Sequence, residues 1–205
     1  MRSKEGRTVW DELIVVDDGS TDRTADAASR FVTAVVRHEK RLGKGEALQT
    51  GVKNSHGDIL LFADADLGES AVYLSKLIEP VLAGETDMAV ARFEPSQAGG
   101  GFGLVKRIAR AGIYRLTGLR CEAPLSGQRA VRREVLREVN ALASGFGIEV
   151  GLTIDAARLG FRISEIALPL THRQTGKTLQ GFAHRGGQLA AVGMAMLMRW
   201  RRSAP

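Results

Sequence analysis

DILLFADADLG, residues 58–68, carries an unbroken apolar run from Ile59 to Ala63 that stops abruptly at Asp64-Ala65-Asp66. A short all-apolar run bounded by polar residues reads as a strand buried on both faces, the kind found in parallel sheets. Open α/β sheets bind ligands at the carboxyl ends of their strands, where these two carboxylates fall. In extended chain, side chains two apart point to the same side. Two such charges so close together repel unless a cation neutralises them. Mg²⁺ and similar hard ions bind one or two carboxylates together with substrate phosphates. The pattern therefore predicts a metal–diphosphate site, with a solvated acidic turn after a buried strand as the plain alternative.

Outward from this strand, the chain alternates strand and helix. Leu13–Val16 is a short apolar strand ending in Asp17-Asp18-Gly19-Ser20. Ser20 or Thr21 is placed to cap a helix reaching about Phe31. Thr33–Val36 is a second strand. Arg41-Leu42-Gly43-Lys44-Gly45 opens a helix with Ala47, Leu48, Gly51 and Val52 on one face. After Ile59–Ala63 comes a helix over Ala71–Leu82, which Pro80 should kink, and then a strand over Asp87–Ala91. This alternation predicts an α/β fold with a mainly parallel sheet. The second half is less regular. Leu104, Val105, Ile108, Ile113 and Leu116 form a helical face among Lys106, Arg107, Arg110 and Arg115. Ser126–Val131 reads as a strand, Glu134–Val139 and Ile148–Leu159 as helices, and Arg162–Leu170 as extended chain. Leu189–Met198 is an apolar helix trailed by Arg199, Arg201 and Arg202. It suits either an interfacial membrane anchor or a helix packed on the core.

The chain has 205 residues, 44% hydrophobic, and no linker between its halves, so a single domain with a sizeable core is expected. One cysteine, Cys121, excludes an internal disulfide and fits a reducing compartment as a small structural hydrophobe. The net charge of +6 favours an acidic partner: a phosphorylated substrate, an anionic membrane surface or nucleic acid. The charged N-terminus does not read as a signal peptide, and no apolar run approaches the roughly 20 residues that span a bilayer. A cytoplasmic chain is expected, with contact at the inner face of the cell membrane left open.

Three further clusters can carry chemistry. In Asp17-Asp18-Gly19-Ser20, the carboxylates can accept hydrogen bonds from a base or ribose while Gly19 permits a tight turn. They can equally serve only the turn and the helix start. Lys44, between two glycines at a helix N-terminus, suits a phosphate through backbone N–H groups and a flexible cation. A solvated lysine is its alternative, and the P-loop spacing is absent. Glu149 is placed as a base early in its helix, whereas Asp155, six residues on, lies on another face and reads as a surface or packing charge. His172-Arg173 can ligate a metal and hold phosphate.

Taken together, IVVDDGSTD, RLGKGEALQTG, GDILLFADADL, PLSGQRAVRRE, GFGIEVGLTIDAARLGFRISEIALPL and THRQTGKT resemble family-2 glycosyltransferases of GT-A fold. The nearest types are polyprenyl- or dolichyl-phosphate sugar transferases and glucosyl-3-phosphoglycerate synthases. The likeness covers about Glu12 to Thr178. It implies a GT-A-like domain over residues 1–178 and a C-terminal helix over 179–205. It further implies a UDP- or GDP-linked sugar donor, a phosphorylated or polyprenyl-phosphate acceptor, Mg²⁺ or Mn²⁺, no nucleic acid, and homodimerisation as an open option. Asp17 and Asp18 would contact the nucleotide, and Lys44 its base or phosphates. Asp64 would hold ribose or metal, and Asp66 the metal, with Asp66 and Glu149 the catalytic pair. Ser126, Gly127 and Gln128 would shape the acceptor pocket. His172 resembles a third metal ligand, and Arg173 and Lys177 phosphate-binding residues of a loop.

The likeness fails at one place. Such enzymes begin with an apolar strand ending in a Pro-x-Tyr-Asn-Glu-like turn, centred between the equivalents of Leu13–Val16 and Ile59–Ala63. Nothing in residues 1–12 matches it, so the chain is expected to lack that strand. A degenerate, non-catalytic nucleotide-sugar-binding subunit is therefore the first rival. A haloacid-dehalogenase-like phosphatase also places Asp-x-Asp after a buried strand, but Leu67-Gly68-Glu69 follows here instead of Gly-Thr. A receiver domain would be far shorter.

Overall fold

The computed structural model describes residues 10–93, 103–139, 147–171 and 190–200. The chain divides at Asp58/Ile59 into two compact units. The first contains β1 (Ile14–Asp17), α1 (Thr24–Ser29), β2 (Ala34–Arg37) and α2 (Lys44–Lys53). β1 and β2 are parallel, with Ile14 opposite Ala34 and Asp17 opposite Arg37. The predicted Ser20 or Thr21 cap does not form. The N-cap of α1 is Arg23, without a side-chain cap bond, and the Ser20 N–H goes instead to the Asp17 carboxylate at 2.9 Å. Among the described residues of this unit only Asp17 and Gly45 are fully buried, and Phe31 is 81% exposed. The apolar side chains of β1, Ile14, Val15 and Val16, are partly covered.

The second unit contains β3 (Ile59–Phe62), a 3₁₀ turn (Gly68–Leu74) running into α3 (Ser75–Leu82), β4 (Met88–Phe93) and α4 (Gly103–Thr117). β5 (Arg129–Arg132), α5 (Arg133–Glu138), α6 (Ile148–Arg158) and β6 (Ile163–Leu168) follow. A last helix, α7, covers 190–200. The sheet order is β3-β5-β4-β6. The α/β class and the parallel pairing of β4 with β6 agree with the strand–helix alternation. β5, however, lies antiparallel to both β3 and β4, making this sheet mixed. Among the described residues β1 ladders with β2 alone and β3 with β5 alone.

Side-chain size positions the helices on this sheet. Ala89, Ala91 and Ala130 lie in one cluster with Leu74, Leu77 and Val81. Small strand residues there let α3 pack closely, and the Leu77–Val81 spacing supplies its buried stripe. A second cluster joins Val105, Ala109 and Ile113 of α4 to Val150 and Ile154 of α6 and Val192 of α7. α6 is buried over most of its length, Glu149 and Thr153 included. α7 is a packed helix with one apolar side left in solvent. Val192, Ala195 and Arg199 face inward, while Met194, Leu197 and Met198 are about half exposed or more. Arg199 is no solvated helix end: it is 6% exposed, and its guanidinium pairs with Asp155. Gly151 makes this possible, since a Cβ there would lie 2.8 Å from that guanidinium.

Candidate functional site

In the first unit, candidate site residues collect at the carboxyl ends of β1 and β2, where parallel strands usually bind ligands. Gly19, Ser20, Thr21, Arg37, His38 and Glu39 line an open cleft of about 630 Å³. Gly19 has φ 73°, and a Cβ on it would lie 2.6 Å from Arg41 N and Lys40 C, so only glycine fits. Asp17 is buried. One carboxylate oxygen accepts the Ser20 N–H, and the other lies 3.4 Å from Arg37 Nε without a hydrogen bond. Asp18 is the organiser of the next loop. Its carboxylate meets His38 Nδ1 at 2.8 Å and accepts the N–H groups of Leu42 (2.9 Å) and Gly43 (2.8 Å). Burial pushes its pKa up, but these hydrogen bonds from His38, Leu42 and Gly43 together hold it below the ordinary value. His38 Nε2 in turn contacts Thr50 Oγ1 at 2.9 Å, tying the loop to α2. Gly43 takes φ 102°, and Lys44 begins α2 directly after it. The helix-start placement expected of Lys44 is thus observed.

In the second unit, the ladder of β3 ends at Phe62, and Ala65-Asp66 already form a turn. The period-two argument for a shared side therefore stops short of Asp66, which is exposed; Asp64 is half-buried. Asp64 Oδ2 accepts a hydrogen bond from Gln128 Nε2 at 2.8 Å. Ser126 and Gln128 are themselves buried, at 8% and 1% exposure, at the entrance to β5. The segment leading there is fixed by Glu165, whose carboxylate accepts the N–H groups of Glu122 and Ala123. Arg129 follows, fully buried, donating from Nε to the Ser126 carbonyl (2.8 Å) and from Nη1 to Thr153 Oγ1 (2.9 Å). Burial lowers its pKa to about 10, against the opposing charge of Glu149. Glu149 is 8% exposed on α6. Arg129 and its contacts were not foreseen, because a buried arginine looks like any other charge in sequence. Cys121 is buried with its thiol pushed up to about 11, as an unreactive packing residue. His172, Arg173 and Lys177 lie outside the described residues.

Two carboxylates, one half-buried and one exposed, suit a hard divalent ion whose remaining ligands are phosphate oxygens and water. Among the described residues no group of three or more His, Cys, Asp or Glu gathers around a common point. Asp64 and Asp66 thus fit a metal shared with a diphosphate.

Residues 10–139 match the family model described as Glycosyl transferase family 2. Glucosyl-3-phosphoglycerate synthase of Mycolicibacterium paratuberculosis is 37% identical over 173 residues, covering 73% of this chain and 52% of that protein. Dolichol-phosphate mannosyltransferase of Pyrococcus furiosus is 31% identical over 159 residues, covering 70% of this chain and 44% of that protein. The crystal structure of Mycobacterium tuberculosis glucosyl-3-phosphoglycerate synthase with Mn²⁺, UDP-glucose and phosphoglyceric acid superposes with TM-score 0.74 at 33% identity. That match covers 92% of this chain and 68% of the other. The chain spans about half the length of the curated relatives it matches.

Proposed function

This chain belongs to glycosyl transferase family 2, and from that premise we propose that it is the catalytic core of a hexosyltransferase using a UDP-linked sugar donor and a phosphoglycerate-type acceptor. The observation that carries this reading is the Asp64–Asp66 pair where β3 ends, with Asp64 held by a buried amide. Asp64 and Asp66 would hold Mg²⁺ or Mn²⁺, which when bound neutralises the charge of a departing nucleoside diphosphate. The first unit by itself offers an open cleft beside Gly19 and Arg37 that suits a nucleoside, and a helix start at Lys44 that suits a phosphate. An acceptor phosphate is ionised already and asks little of a general base. We therefore assign Glu149 to balancing the buried Arg129 charge rather than to proton abstraction. Arg173, Lys177 and His172 remain proposed donor and metal contacts on the strength of the family likeness.

A polyprenyl-phosphate acceptor is the second reading, supported by the exposed apolar side of α7 (Met194, Leu197, Met198). α4 adds exposed Lys106, Arg107, Arg110 and Arg115, and neither helix contains an acidic residue. Apolar and basic side chains together suit an anionic membrane surface. No helix among the described residues is long and apolar enough to cross a membrane.

The test is calorimetric titration of UDP with and without Mn²⁺, followed by turnover of UDP-glucose with 3-phosphoglycerate and with a polyprenyl phosphate. Mn²⁺-dependent binding that Asp66→Ala reduces at least about tenfold is expected. Binding indifferent to both metal and Asp66 would sink the reading. Metal-dependent binding without turnover would favour the binding-subunit alternative.

A further inference from the structure

Gln128 lies in a segment whose side chains were expected to face the acceptor, yet it is 1% exposed and its amide is committed inward. Its Nε2 donates to Asp64 Oδ2 at 2.8 Å, and its Oε1 faces Ser126 Oγ at 3.4 Å. The amide has only one workable orientation. Flipped, its carbonyl oxygen would face a carboxylate oxygen and leave two acceptors opposed. The backbone below is fixed as well. Arg129 Nε donates to the Ser126 carbonyl, while Nη1 ties the same guanidinium to Thr153 of α6. β5 is a central strand, laddered to β3 at Phe62↔Arg129 and to β4 at Val90↔Arg129. The amide thus stands on rigid chain from both sides, whereas Asp64 lies two residues beyond the end of its own strand.

We propose that Gln128 is a positioning residue that fixes the Asp64 carboxylate for divalent-metal and nucleoside-diphosphate binding, rather than an acceptor contact. This rests on the function proposed above. A buried amide that holds one oxygen of a carboxylate narrows its choice of rotamer and sets the direction of the other oxygen. Hydrogen-bond partners of metal ligands commonly govern affinity in this way. The same contact raises a selectivity argument: an acceptor pocket lined by residue 128 would feel its substitution first in acceptor KM, whereas a positioning amide would not.

The experiment uses Gln128→Met, which keeps side-chain length and removes the donor. Mn²⁺ binding in the presence of UDP is followed by electron paramagnetic resonance and calorimetry, with 3-phosphoglycerate KM measured separately. The expected result is a loss of about tenfold in Mn²⁺ affinity, with acceptor KM unchanged. Unfolding temperature is compared in the same samples. Should Gln128→Met fail to fold, Ser126→Ala is used instead; it frees the amide's other end and is expected to weaken Mn²⁺ binding by a smaller factor in the same direction. Unchanged Mn²⁺ affinity beside a binding wild type overturns this proposal alone. So does a loss shared equally between metal, donor and acceptor, which is the signature of general loosening. A wild type that binds neither Mn²⁺ nor UDP overturns the underlying function and this proposal with it.

Discussion

Gly19 shows how much one residue can be asked to do. Its left-handed backbone already disfavours a side chain, and the approach of Lys40 and Arg41 leaves no room for a Cβ. Gly19→Ala is expected to cost roughly 2 kcal/mol or more, combining left-handed strain with a backbone clash. A lowered denaturation midpoint would register it, and weakened UDP binding should accompany it, because the displaced backbone borders the cleft. An alanine variant with wild-type midpoint and affinity would contradict this. Asp18 illustrates a different economy. The two residues of the acidic pair look interchangeable in sequence, yet one is buried at a turn and the other organises the approach to Lys44. Nothing in their spacing distinguishes them. The difference comes from the backbone of Leu42 and Gly43, far along the chain.

Among the elements, the amino end of β4 carries the strongest polar tie. Asp87 accepts hydrogen bonds from Arg162 through N, Nε and Nη2, and from Arg132 Nη1, joining the entries of β4 and β6 to the exit of β5. Arg162 is the main cause, with Arg132 assisting against burial, of a carboxyl held at about 2, below its ordinary 3.8. A carboxyl depressed in the folded state stabilises above its unfolded pKa, and that contribution disappears as pH falls through the folded one. Between about pH 4 and pH 2 the protein should lose about 2 kcal/mol from this group. Asp87→Asn should remove most of that dependence in acid-unfolding curves; an unaltered acid limb would count against it. The clamp is invisible in sequence, since Asp87, Arg132 and Arg162 are scattered residues that only strand register brings together. The same holds for β5. Its four residues, Arg-Ala-Val-Arg, have no long apolar run, so the pattern that marks β3 so clearly marks β5 weakly, and its direction not at all. The positions of Asp64 and Asp66 just past β3 and of Lys44 at the start of α2 were legible because strand ends and helix starts are local events. The Gln128–Asp64 bond and the Arg199–Asp155 pair were not, because each joins segments distant in sequence.

For the whole molecule, burial is divided unevenly. Every fully buried apolar side chain among the described residues lies from Leu60 onward. Up to Asp58 the fold rests on one parallel strand pair and a set of polar contacts: Asp18 with its loop, and Glu12 with His56. Local opening costs least where few apolar contacts are lost. Amides of β1 and β2 should therefore exchange with deuterium well before those of β4 and β5, by about two orders of magnitude or more in protection. Peptide-resolved exchange mass spectrometry measures this directly, and uniform protection across both units would refute it.

The antiparallel seat of β5 has a temporal consequence. β3 is joined to β4 only through β5, which is made about 70 residues after β3. On the ribosome, Ile59–Phe62 must therefore wait, an apolar segment without its partner, until Arg132 has emerged. That interval is when a holdase chaperone would matter most to the yield of this protein.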